Sequence, residues 1–148
     1  MSHYNLDFLN TVHRKIPDFS KNDTLYIVAH SMGFAYSQGI VEELRGKINF
    51  GGYYIIAPEN GESGKINPLE WKQVWQYGSN FDQSKHDAPC LQDGIAPQKT
   101  IPGLPINNRI FIPESLYHCK GYFDSHFIGY YTWVLDIKKE QPGYIFRK

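Results

Sequence analysis

Residues 27–44, IVAHSMGFAYSQGIVEEL, gather the groups best suited to chemistry in this chain: an apolar run that stops at His30 and Ser31, Gly33 two residues on, and helical spacing thereafter. A serine hydroxyl becomes a nucleophile when a neighbouring base takes its proton and a donor receives the charge that develops on the attacked oxygen. At a strand-to-helix junction Ser31 would stand above the sheet edge at the positive end of a helix, where the Met32 amide can face an oxyanion. A turn that sharp calls for small residues two before and two after the serine, and Ala29 and Gly33 occupy those places. The competing reading makes Ser31 an ordinary helix cap.

The elements that must hold such a turn can be read on either side of it. Residues 25–29 form a short, β-branched-rich apolar run, which predicts a strand buried on both faces, as in a parallel sheet. Over 31–45 the spacing is helical, with Phe34, Ala35, Ile40, Val41 and Leu44 available for a core face and Gly46 in the stop position. A second apolar run, 53–57, ends at Pro58. Strand, helix, strand predicts a right-handed βαβ unit, hence an α/β fold with a mostly parallel sheet flanked by helices. Upstream, Leu6, Leu9, Val12 and Ile16 predict an amphipathic helix over 5–16, capped by Asn5 and stopped by Pro17. Downstream, 73–77 and 109–112 are strand candidates separated by a loop rich in proline, glycine and aspartate, and 128–137 reads as either helix or strand.

At 148 residues the chain is the size of one domain, assigned to 1–148. Fifteen basic residues balance fifteen acidic ones, so there is no electrostatic case for a nucleic-acid or anionic-membrane partner. No apolar run approaches the roughly 20 residues that span a bilayer, and no N-terminal signal is visible, which favours a cytoplasmic setting for the chain as given. Cys90 and Cys119 are too far apart for a Cys-x-x-Cys pair and too few for a zinc site; free thiols are expected, with a disulfide as the alternative. No metal or cofactor is expected. The run GESGK at 61–65 fails as a phosphate loop, because Glu59 stands where a glycine is needed and Ile66 where a serine or threonine is needed.

AHSMG at 29–33 resembles the nucleophile elbow of the α/β-hydrolase family, with alanine for the first glycine as in certain bacterial lipases. More loosely, VWQYGSNFD, DGIAPQ and SHFIGYYTW resemble stretches of bacterial lipase-like domains. The resemblance implies a triad in the order serine, acid, histidine. His126, in DSHFIGYY, lies where the family's histidine loop belongs; His118 is its nearest competitor and His86 is too early. His30 is assigned to the elbow, facing the wrong way for a base. Asp82 is the first choice of acid, with Glu59, Asp87 and Asp93 as alternatives, although Asp93-Gly94 also reads as a turn.

The implied activity is that of a serine hydrolase on carboxylic esters or lipids. Phe34, Tyr36 and the tryptophans could line an acyl pocket or simply fill the core, and the loops 59–69 and 84–104 are lid candidates. The family's full domain has eight strands with the nucleophile after the fifth, so the resemblance further implies that the first four are missing here. With them would go the loop that supplies a second oxyanion amide. An apolar edge at 25–29 is then expected, to be covered by a second copy or a completing polypeptide. The alternative function is a truncated, inactive relative that serves as a binding or interaction module.

Overall fold

The computed structural model describes residues 20–79, 99–116 and 124–146. The predicted helix over 5–16, Cys90 and Cys119 lie outside the described residues. Strand alternation along Thr24–His30 (β1) sends Leu25, Ile27 and Ala29 to one face and Tyr26, Val28 and His30 to the other. Gly33–Leu44 (α1) buries Phe34, Ser37, Ile40, Val41 and Leu44, the three- and four-residue spacing of one helix face. It packs on the Ala29 side of the sheet. The chain then returns as Asn49–Ile56 (β2), parallel to β1 with Thr24 opposite Asn49 and His30 opposite Ile56. Trp71–Gly78 (β3) and Arg109–Phe111 (β4) continue the sheet, so that among the described residues it has four parallel strands in the order β1-β2-β3-β4. The fold is α/β.

Among the described residues two cores form, one on each face of β2. On the α1 side Ala29, Phe34, Tyr53, Ile55 and Val74 meet Ile66, Ile101 and Leu104. On the other side Tyr54, Ile56 and Tyr77 meet Ile112, Tyr131 and Val134. The last two sit on Ile128–Asp136, a 3-10 helix, so the segment left open between helix and strand is neither a strand nor an α-helix. The expectation that 25–29 is buried on both faces is not met: in β1 only Ala29 is buried, because β1 is an outer strand among the described residues, whereas in β2, which lies between two strands, every residue from Phe50 to Ile56 is buried.

β2 starts four residues before the run 53–57 because two glycines belong to it. The register with β1 slips between Leu25 and Tyr26, and a Cβ on Gly51 would stand 2.6 Å from the Tyr26 ring. A Cβ on Gly52 would stand 2.6 Å from the Tyr54 ring. These glycines let aromatic rings lie against the strand. The strand stops at Ile56, since Ala57 turns to φ 43°.

A buried amide ties the third strand to the loop that follows it. Gln76, fully buried, donates to the Lys99 carbonyl at 2.8 Å and accepts from the Ile101 amide at 3.0 Å. Leucine there would deprive the buried Ile101 N–H of its acceptor, so Gln76→Leu is expected to lower unfolding free energy by about 1–3 kcal/mol in urea titration. Arg109, also buried, donates to the Ser79 carbonyl at 2.5 Å and lies over the Phe111 ring; burial pulls its guanidinium down to about 10, still charged at neutral pH.

β1 is an outer strand among the described residues, and on its face away from α1 Val28 is 61 % and Tyr26 42 % exposed. Among the described residues no helix is long and apolar enough to cross a membrane.

Candidate active site

β1 ends at His30 and the next residue breaks the strand. Ser31 adopts φ 55°, a left-handed conformation that costs a non-glycine residue roughly 1–2 kcal/mol. The turn is tied from both sides: the Ser31 amide donates to the Ile56 carbonyl at 3.1 Å, and the Ser31 carbonyl accepts from the Phe34 amide at 3.1 Å. The helix cap position falls on Met32 and carries no side-chain hydrogen bond. Ser31 is therefore not the side-chain cap of this helix. Its hydroxyl oxygen lies 2.8 Å from His126 Nε2 instead.

His126 ends a 3-10 turn, Asp124–His126, and is buried at 6 % exposure. When neutral with its proton on Nδ1, it presents Nε2 as an acceptor for the Ser31 hydroxyl. His30 approaches the same turn from β1: its Nε2 is 2.5 Å from the His126 carbonyl, and the two rings are 5.4 Å apart at 49°. A carbonyl only accepts, so His30 must hold its proton on Nε2. His30, assigned to the elbow, also touches the residue that faces the serine.

The Met32 amide opens α1 and has no backbone carbonyl partner among the described residues. It is a free donor beside the serine, at the helix end where partial positive charge collects. Ala29 is buried at 4 % exposure, as the turn requires. Gly33 corrects the expectation that the turn leaves no room there: a Cβ would meet nothing within 4 Å, and its φ is not positive. Gly33→Ala is accordingly expected to unfold at or slightly above the wild-type temperature in differential scanning calorimetry, gaining up to about 1 kcal/mol from helix propensity.

Of the acid choices, Glu59 stands in the turn after β2; among the described residues it makes no hydrogen bond or ion pair with His126. Asp82, Asp87 and Asp93 lie outside the described residues, as do His86 and His118.

A cleft of about 500 Å³ opens beside Met32, between the start of α1 and the loop after β2, with Phe34, Ala35, Asn60, Gly64 and Lys65 among its walls. The Phe34 ring lies so close to Gly64 that a Cβ there would come within 2.4 Å of it. Of the aromatics expected near an acyl group, Phe34 alone reaches this cleft. Trp71 stacks on Phe50 at 4.6 Å in the α1-side core, and Trp75 and Trp133 pack in the opposite core. The loop 59–69 supplies one wall of the cleft; most of 84–104 lies outside the described residues.

Fold and site together define an α/β protein that carries a serine–histidine pair at the carboxyl ends of parallel strands, where open α/β sheets bind their ligands. Comparison with protein-family models, with curated proteins and with solved structures returned no match, so the functional reading rests on this geometry.

Proposed function

We propose that this chain is a serine hydrolase of the α/β-hydrolase kind, acting on carboxylic esters or lipids. One observation carries the proposal: a serine held at φ 55° directly after a parallel strand has its Oγ 2.8 Å from a buried imidazole nitrogen. An imidazole at that distance is within reach of a hydroxyl proton. In the proposed reaction His126 Nε2 takes the Ser31 proton as Oγ attacks the ester carbonyl, and the Met32 amide donates to the oxyanion. His126 then returns the proton to the departing alcohol, leaving an acyl-enzyme. Water, deprotonated by the same nitrogen, releases the acid and restores Ser31. Asp82 is the proposed acid that holds the His126 tautomer. The acyl group is assigned to the Met32–Phe34 cleft, whose mixed walls suit a chain of modest length.

The test is labelling with a fluorophosphonate, in which Oγ attacks phosphorus and fluoride leaves, read by intact mass and peptide mapping. The expected result is one adduct, on Ser31. A well-folded protein that takes no label would favour the second reading, an interaction module, for which β1, an outer strand among the described residues with Val28 and Tyr26 exposed, is the supporting observation.

A further inference from the structure

The imidazole that faces Ser31 sits on a three-residue 3-10 turn, too short to satisfy its own terminal carbonyls or to fix a side chain by itself. Two side chains from other elements hold the backbone of that turn. Tyr131, buried at 3 % exposure on the following 3-10 helix, donates its hydroxyl to the Ser125 carbonyl at 2.7 Å. His30, from the end of β1, donates Nε2–H to the His126 carbonyl at 2.5 Å. The carbonyls are consecutive, so the peptide groups before and after His126 are pinned from two different elements.

We infer that His30 and Tyr131 are positioning residues, a two-point clamp that holds the His126 backbone so that its imidazole meets the Ser31 hydroxyl. The inference rests on the hydrolase reading of the same site. His30 reaches the clamp because it follows Ala29 in the strand: alternation turns Ala29 toward α1 and His30 toward the opposite face. The nucleophile and one jaw of the clamp are thus adjacent residues at one strand end, and any shift of β1 moves both together. A carbonyl needs a donor and nothing else, so the clamp requires an N–H at the position of Nε2 rather than a titrating ring. Histidine offers that N–H both as the Nε2–H tautomer and as the cation.

The chemistry of the donor sets the test. Glutamine places an amide N–H at about the reach of Nε2, whereas leucine matches the bulk without a donor. His30→Leu is expected to slow fluorophosphonate labelling of Ser31 by about tenfold to a hundredfold, the scale of a small misplacement of a reacting group. His30→Gln should restore most of the rate, and Tyr131→Phe, which removes only the hydroxyl, should slow it about tenfold.

A second readout does not depend on activity. The ring nitrogen resonances of His126 should report the Nδ1–H tautomer in the wild type and in His30→Gln, and a tautomer mixture in His30→Leu. Labelling of His30→Leu at the wild-type rate, or a glutamine variant no better than leucine, would overturn the clamp. A wild type that takes no label but shows the expected tautomer pattern would overturn the hydrolase reading and leave the clamp standing. If His30→Leu does not fold, Tyr131→Phe and His30→Gln decide by the same two readouts.

Discussion

Ser31→Ala is expected to abolish fluorophosphonate labelling and to lower ester hydrolysis by about 10⁴- to 10⁶-fold, and His126→Ala to lower it nearly as far. The effects should not add. In the proposed reaction the two side chains, 2.8 Å apart, act as one unit: without the imidazole the hydroxyl keeps its proton, and without the hydroxyl the imidazole has nothing to activate. What survives would be stabilisation by the Met32 amide and by binding alone. Loss of the hydroxyl leaves the backbone bonds from Ser31 to Ile56 and Phe34 in place, so the alanine variant should keep its fold, as circular dichroism and an unchanged urea midpoint would show. Hydrolysis of a short-chain p-nitrophenyl ester by wild type, both single variants and the double variant measures the coupling. Hydrolysis by Ser31→Ala within tenfold of wild type would remove Ser31 from the reaction.

The strand and helix around this serine were legible because each depends on a short local pattern. Apolar runs announced β1 and β2, and three- and four-residue spacing announced α1, whose observed limits differ from the spacing by two residues at the start and one at the end. The glycine pair in β2 was not legible as strand: Gly51 and Gly52 look like a break until the Tyr26 and Tyr54 rings lie beside them, and those contacts are tertiary. The 3-10 helix Ile128–Asp136 carries its own signal in the sequence. Tyr131 and Val134, both buried, are three residues apart, and Ile137 follows at the same step, the period of a 3-10 turn rather than of a strand or α-helix.

At the site, the position that the family resemblance implies for a histidine nominates His126, and the fold brings its Nε2 to Ser31. The part played by His30 could not be read in the same way. Its neighbour in sequence is the proposed nucleophile, but its partner is a carbonyl 96 residues away, and strand alternation says only which face it takes. Gly33 misled in the other direction. The elbow pattern explains a small residue there by crowding, and the observed turn has open space at that position.

The largest expected loss of stability lies outside the site, at Gly103→Ala. Residues 101–104 read Ile-Pro-Gly-Leu, and the Leu104 amide donates to the Ile101 carbonyl at 3.0 Å, with Gly103 at φ 89°. Proline second and glycine third, with positive φ at the glycine, is a type II turn. Alanine in that conformation is strained by roughly 1–2 kcal/mol before any contact is considered. The contact is worse: a Cβ on Gly103 would stand 2.0 Å from the Ile66 carbonyl oxygen and 3.2 Å from its carbon. Both are backbone atoms, and Ile66 is tied to this turn by its own amide, which donates to the Pro102 carbonyl at 2.9 Å. The two segments cannot part without breaking that bond and withdrawing Ile101 and Leu104 from the core that supports Phe34 and α1. A cost of about 3–5 kcal/mol is expected, the range in which backbone clash and lost core packing combine. Urea unfolding of Gly103→Ala beside Gly33→Ala gives a direct contrast. The first should lose most of its midpoint and the second none, although both replace a glycine by the same residue. A loss below about 1 kcal/mol at Gly103 would mean that the turn and the Ile66 segment can separate, and that the α1-side core does not depend on their contact.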